Sequence, residues 1–386
     1  MLIISFDAVG DSEYDRLMEY PAFSAFTRQA AVFRGVPTLF SSNTYPIHAS
    51  IVTGVMPNIH GVKSNTQPFP ARRPAWNSRE DGIRVRTLWQ AAAANGIDTA
   101  TVFWPVTAFS KTIRYNIPEV LPPPGKNQAL ACLKAGSKLL QLKMLMRHAK
   151  LLNGIRQPNR DNYATACMAD ILRERKPGLA LIHLTAYDSL CHKFGKDSDD
   201  IKTAIETLDR SLSVLLEAVG DDRDVIVFSD HSQINVHTAL DPNSILVNAG
   251  LLGLEEDVYI PGVSGCYFEC CGGAAYFHSG NLSGDKVDEI RIYVKQNVGF
   301  LRFLTQEEMH VSGYENVAFG FCAQRGYCFS ALSEGNKAEH GYPPDTSDYS
   351  VFYVARGYGF EPGKTTNGGS LLDIAPLAAR SLGFTL

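Results

Sequence analysis

Cysteine, charge of one sign and long apolar runs are all in short supply. Eight cysteines in 386 residues are too few for the disulfide framework of a small secreted domain. The tightest group, Cys266, Cys270 and Cys271, lacks paired Cys-x-x-Cys spacing and reads as buried free thiols rather than a structural metal site. Acidic and basic residues nearly cancel, 40 Asp+Glu against 36 Lys+Arg for a formal charge of −4. The chain as a whole therefore offers no field that would favour nucleic acid. No apolar run approaches the roughly 20 residues that span a bilayer. Met1 passes straight into Leu2-Ile3-Ile4-Ser5-Phe6 with no basic stretch before it, so the start reads as a strand and the expected location is cytoplasmic. With 45 % hydrophobic and 20 % charged residues the composition is that of a globular protein, which excludes disordered, collagen-like and coiled-coil classes.

Short apolar runs alternate with amphipathic segments along the chain. Leu2–Phe6, Thr99–Phe103, Leu179–Leu184, Asp224–Phe228 and Tyr349–Val354 read as strands buried on both faces, the pattern of a parallel sheet. Ile201, Ala204, Ile205, Leu208, Leu212, Leu215 and Leu216 recur at helical spacing, and Gly220 supplies a stop. A shorter helix over Leu88–Ala94 ends at Asn95-Gly96. The expected fold is α/β: a doubly wound, mostly parallel sheet with helices on both faces and a smaller inserted domain. The core spans 1–244 and 336–386, the insertion 245–335. No internal repeat of solenoid or propeller length is present.

A cap-like segment, 116–160, breaks the rhythm. After Leu121-Pro122-Pro123-Pro124-Gly125, its basic part (120–160) has no acid. It carries Lys126, Lys134, Lys138, Lys143, Arg147, Lys150, Arg156 and Arg160 among leucines. The readings are a solvated amphipathic helix, a cap attracting an anionic substrate, or a membrane-surface contact.

In doubly wound sheets, functional groups gather beyond the carboxyl ends of the strands. The first strand ends at Asp7. The third run leads to Asp188 and His192, one helical turn apart, and the fourth into Asp230-His231. His340 stands ahead of the last strand. Three carboxylates clustered at strand ends would repel one another, and a divalent metal resolves that repulsion. Mixed imidazole and carboxylate ligation suits zinc, with manganese or iron as alternatives and calcium disfavoured. A hydroxyl beside such a metal ionises near neutral pH and becomes a nucleophile. Spacing alone leaves Ser41, Ser42, Thr44 and Thr53 as candidates.

Asp7, Asn43-Thr44-Tyr45-Pro46-Ile47-His48, Val52-Thr53-Gly54, Pro57, His60-Gly61, Asp188…His192, Asp230-His231 and His340-Gly341 occur in an order that resembles the alkaline phosphatase superfamily. The likeness is greatest to the nucleotide pyrophosphatase/phosphodiesterase branch. Trp104-Pro105 and Leu372-Asp373-Ile374-Ala375-Pro376 resemble its later landmarks. The match covers 1–110, 176–240 and 335–386. It implies two zinc ions, one held by Asp188, His192 and His340, the other by Asp7, Asp230, His231 and the nucleophile Thr44. It further implies that Asn65 donates to a phosphoryl oxygen and that Tyr45 lines the pocket. Two departures stand out: the family's Lys/Thr-Phe-Pro-Asn-His wording is changed around Thr44, and the second base-stacking aromatic is replaced by His183, with Tyr187 as a possible substitute. His48, His60 and His237 are either supports for the ligands or structural.

The implied activity is metal-dependent cleavage of phosphodiester or pyrophosphate bonds through a phospho-threonine. The alternative is a phosphomonoesterase or phosphonate hydrolase of the same superfamily. The expected partner is a small phosphate ester, a nucleotide being one candidate. No Cys/Ser-x-Pro-x-Arg motif supports a sulfatase. A non-catalytic protein on this fold would have lost a ligand or the nucleophile, and all are present. Oligomeric state is not legible.

Overall fold

Odd and even residues of the central strands belong to different hydrophobic clusters. Leu2, Ile4 and Phe6 join Ala180, Ile182, Leu184, Val225 and Val227 in one. Ile3, Leu179, Leu181, Ile226 and Phe228 join the other. Both faces of these strands are apolar because both are covered by helices. The computed structural model describes residues 1–67, 75–122, 125–153, 156–256, 258–331 and 335–386; Pro123 and Pro124 of the expected cap lie outside them.

The central sheet has eight strands in the spatial order Thr365–Asn367, Ala31–Val36, Val351–Arg356, Val225–Phe228, Leu2–Phe6, Leu179–Leu184, Thr99–Val102 and Tyr115–Ile117. All neighbours run parallel except that Val351–Arg356 is antiparallel to both of its own. Helices Pro21–Arg28, Asn159–Arg175 and Asp200–Val219 cover the first face, with Thr44–Thr53, Leu88–Ala94 and Ile374–Ser381 on the second. The expected α/β fold is therefore present, with one reversed strand and small extra sheets.

Local chemistry sets the boundaries. Thr87 and Gln90 form a reciprocal cap at the start of Leu88–Ala94. The long helix Asp200–Val219 stops at Gly220, whose φ is 84°. The expected strand from Tyr349 begins instead at Val351, because the buried Tyr349 hydroxyl turns to Ser42 and to the Gly341 amide. The basic stretch forms two helices rather than one, Gln128–Ala135 and Lys138–Leu152. At Gly136, between them, a Cβ would lie 2.4 Å from Pro118 Cδ and 2.5 Å from the Asn116 carbonyl. Its charge is partly answered by the next helix: Lys143 pairs with Glu174 at 2.6 Å and Arg147 with Asp170 at 2.8 Å. Leu139 and Met146 remain exposed.

Within the 245–335 region, a four-stranded antiparallel sheet is built from Tyr267–Cys271, Ala274–His278, Phe319–Ala323 and Phe300–Phe303, in that order. It has its own core, including Phe268, Phe277, Ile290, Val294, Phe319 and Phe321. All eight cysteines are free; Cys266 and Cys271 are buried and Cys270 is half-buried. Among the described residues no helix is long and apolar enough to cross a membrane.

Candidate metal centre

Parallel strands and a helix start deliver the expected side chains to one end of the sheet. Asp7 follows Leu2–Phe6, and its amide bonds to the Leu184 carbonyl at 3.0 Å, which ties two strand ends together. Asp230 and His231 follow Val225–Phe228. Asp188 and His192 share one face of Ala186–Phe194. Thr44 opens the helix Thr44–Thr53, where the first backbone N–H groups have no partner within the helix.

Ligand atoms of Asp7, Asp230 and His231 lie within 4.8 Å of one another. Thr44 Oγ1 is 3.2 Å from His231 Nε2, which is 3.6 Å from Asp7 Oδ1 and 3.3 Å from Asp230 Oδ2. His231 Nδ1 donates to the Ser232 carbonyl at 3.2 Å, so the Nε2 lone pair faces the carboxylates. Asp7 Oδ1 and Asp230 Oδ2 are buried without a hydrogen-bond partner. Two orphaned carboxylate oxygens converging on an imidazole lone pair make a donor set that fits a divalent cation.

The neighbouring site is more crowded than expected. Asp188 Oδ1 lies 3.1 Å from His192 Nε2, and His192 Nδ1 donates to the Ala338 carbonyl at 2.8 Å, an orientation common in metal-ligating histidines. The compact groups are Asp188–His231–His340 and His192–Glu339–His340. Glu339 was missed in the sequence. It stands 3.7 Å from both imidazoles, and its other oxygen is held by Asn336 at 2.8 Å. Its place in Glu339-His340-Gly341 was the available signal. The turn between strands Tyr267–Cys271 and Ala274–His278 clamps this segment: Gly273 N donates to the His340 carbonyl at 2.8 Å. A Cβ on Gly272, whose φ is +69°, would fall 2.1 Å from that carbonyl, so only glycine permits the approach.

The electrostatics match this crowding. In the polypeptide alone, burial and then the Asp230 charge push Asp7 well above the usual carboxylate range, and burial lifts Asp230 to about 6. Burial holds His231 down at about 4 and His340 at about 3. At His192 burial opposes protonation, but Asp188 and Glu339 outweigh it and raise the imidazole to about 10. At Asp188 burial is likewise outweighed by His192, and its carboxyl is held below the ordinary range. Such divergence among neighbours is characteristic of functional clusters.

Asp7, Thr44, Asp188, His192, Glu339 and His340 line a cavity of about 770 Å³ with Asn43, Tyr45, Asn65, Trp76, Glu119, Arg160 and Glu269. Asn65 Oδ1 accepts from the Tyr45 amide at 2.8 Å, which leaves its NH₂ group as the end free to donate. The Tyr45 ring is fully buried, with its hydroxyl donating to Glu119 at 3.2 Å and its edge against Trp76 at 5.1 Å. His183 is equally buried; its Nε2 bonds to Asp7 Oδ2 at 3.0 Å and its Nδ1 faces Glu119 at 3.9 Å. The partly exposed Trp76 presents aromatic surface there, and no motif marked it. Tyr187 is buried in the first hydrophobic cluster. His48 supports the centre, bonding to the Thr44 carbonyl at 2.8 Å and to Ser5 at 2.9 Å, 3.5 Å from Asp230. His60 bonds to Ser50 and Val62 and is structural. His237, against Tyr327, is not part of this wall. Of the other candidate hydroxyls, Ser42 bonds to the Tyr342 carbonyl and Thr53 to the Ala49 carbonyl.

The family model for type I phosphodiesterase / nucleotide pyrophosphatase matches residues 1–301. Human ectonucleotide pyrophosphatase/phosphodiesterase family member 1 is 20 % identical over 222 residues, 55 % of this chain and 21 % of that protein. Venom phosphodiesterase 2 of Crotalus adamanteus is 21 % identical over 210 residues, 50 % of this chain and 22 % of that one. The matched region thus spans about a fifth of these curated relatives. The solved structure of murine ectonucleotide pyrophosphatase/phosphodiesterase 5 superposes with a TM-score of 0.70 at 16 % identity, covering 100 % of this chain and 95 % of that one. An inactive threonine-to-alanine variant of the murine protein was solved in complex with AMP. The strand order, the converging ligands and the family match agree: this chain belongs to the type I phosphodiesterase/nucleotide pyrophosphatase family of hydrolases, within the alkaline phosphatase superfamily.

Proposed function

We propose that this protein hydrolyses phosphodiester or pyrophosphate bonds of a small ester, with nucleotides as the leading substrate class, through a covalent phospho-threonine at Thr44. The observation that carries the reading is the contact of Thr44 Oγ1 with His231, itself grouped with Asp7 and Asp230, beside an Asn65 amide turned by Tyr45. Asp7, Asp230 and His231 would hold one divalent ion, and Asp188, His192 and His340, with Glu339 alongside, a second. Zinc best suits this donor set, with manganese or iron as alternatives; the ions would acidify the attacking hydroxyl and water and offset charge on the phosphoryl oxygens.

The residues divide the remaining work. Thr44 Oγ forms the bond to phosphorus as the bond to the leaving oxygen breaks, and water then cleaves the phospho-threonine ester. Two inversions give net retention at phosphorus. Asn65 donates its NH₂ to a phosphoryl oxygen, where charge builds in the transition state. The amino end of Thr44–Thr53 adds a favourable partial charge for an anion. His183 orients Asp7, and His48 fixes the Thr44 backbone from behind.

A phosphomonoesterase or phosphonate hydrolase draws on one observation, the presence of Arg160 in the cavity wall, since a cation there could answer a monoester's added charge. Metal analysis with hydrolysis of bis-p-nitrophenyl phosphate and p-nitrophenyl phosphate separates the two. Thr44→Ala should abolish diester turnover while retaining bound metal. Full activity in that variant would remove Thr44 as nucleophile.

A further inference from the structure

We infer that the cavity contains a second anion subsite, built on Arg160, for a charged group that the substrate carries beyond the phosphoryl group being cleaved. The inference rests on the phosphodiesterase reading above and narrows its substrate class. Arg160 is the only Lys or Arg among the described residues that line the cavity. It stands in the first turn of Asn159–Arg175, at the end of the basic segment. Its position is fixed from one edge. Nη2 bonds to Thr185 Oγ1, a hydroxyl also held by Gln157 at 2.6 Å, and is 3.4 Å from Glu119 Oε1.

The rest of the guanidinium is unspent. Nε is buried without a partner, and Nη1 makes no hydrogen bond among the described residues. Guanidinium carries five donors in a planar fork suited to phosphate and carboxylate, and buried donors are costly to leave unmade. Glu119 does not answer this charge alone, because its other oxygen receives the Tyr45 hydroxyl and faces His183. Arg160 is also a separate feature from the metal ligands. Its partner Glu119 lies across His183 from Asp7, which assigns it an anion beyond the group at Thr44 Oγ1. A single phosphoryl group fills a small part of about 770 Å³, and pockets of this size take whole ligands.

Three thymidine substrates test the subsite. Thymidine 5′-(p-nitrophenyl phosphate) carries one charge, its 3′-phosphorylated form adds an anion on the nucleoside side, and thymidine triphosphate adds anions on the leaving side. The wild type should prefer at least one of the two more highly charged substrates by about tenfold or more in kcat/KM, the scale of one charge-assisted hydrogen bond. Arg160→Gln should reduce that ratio by about tenfold, with Arg160→Lys intermediate. Glu119→Gln, which removes the competing carboxylate, should raise it, and keeps the test open if Arg160→Gln does not fold. A ratio unchanged within about twofold in Arg160→Gln overturns the subsite. A loss confined to p-nitrophenyl phosphate also overturns it, since that marks an arginine acting on the reacting phosphoryl. A wild type that cleaves none of the thymidine esters refutes the phosphodiesterase reading and this inference together, whereas cleavage with no preference for added charge refutes the inference alone.

Discussion

Asn65 offers a perturbation whose two consequences are separable. Its Oδ1 receives the Tyr45 amide at 2.8 Å at the start of the Thr44–Thr53 helix, and this fixes which end of the amide faces the cavity. Asn65→Ala removes both the acceptor and the cavity-facing donor. The acceptor is one neutral hydrogen bond, so stability should fall by about 1 kcal/mol. The donor serves a developing oxyanion, and losing one such group costs about 10²–10³ in kcat, roughly 3–4 kcal/mol. Asn65→Asp keeps an acceptor for the Tyr45 amide and places negative charge at a helix amino terminus, where it is tolerated. Stability should therefore be preserved while turnover falls by at least as much as in the alanine variant, because an anion replaces the donor. Urea unfolding curves measured beside kcat/KM on bis-p-nitrophenyl phosphate read both effects. Near-wild-type turnover in Asn65→Asp would refute the orientation deduced from Tyr45. So would an alanine variant whose only defect is stability.

The other predictions concern the centre's supports. Glu339→Gln removes a carboxylate 3.7 Å from His192 and His340; one of the two proposed metals should bind about 10- to 100-fold more weakly, read by chelator competition, and unchanged affinity for both would exclude Glu339 from the site. Gly272→Ala forces a Cβ to 2.1 Å from the His340 carbonyl at a φ of +69°, so the same metal should be lost first, and full occupancy would show that the Gly272-Gly273 turn does not hold His340 in place. His60 is buried and neutral, with burial pulling its imidazole down to about 3. The unfolded chain binds that proton near pH 6.5, so the stability it contributes is complete above pH 6.5 and is lost progressively as pH falls toward 3. At pH 5 the loss is about 2 kcal/mol. Urea midpoints of His60→Gln should fall correspondingly less between pH 7 and 5, and parallel pH profiles would contradict this.

The sequence carried the strands and the set of clustered Asp and His side chains because both are written in local order. Leu2–Phe6 and Leu179–Leu184 were legible to the residue, since a strand covered on both faces has no polar register to blur its ends. That Asp7, Asp188, His192, Asp230, His231 and His340 gather at one end of the sheet was legible because strand ends converge in this topology. The direction of Val351–Arg356 was not: a doubly buried strand has the same composition whichever way it runs, and its reversal shows only in pairing with Val225–Phe228 and Ala31–Val36.

What the tertiary structure alone decided is which side chains meet across distances no periodicity spans. Tyr45 suggested an aromatic wall, and the fold places it in the cavity lining, held there by Trp76 and Glu119. His183 stood where an aromatic was expected, and the fold turns it onto Asp7. Arg160 belonged to a run of eight cations with nothing to distinguish it. Lys143 and Arg147 find acids on the neighbouring helix, whereas Arg160 enters the cavity beside Glu119. Local sequence specifies which chemical groups exist and which element carries each. Packing of the helices on the sheet, and of the Gly272-Gly273 turn on His340, determines which groups share a desolvated space, where their charges govern one another.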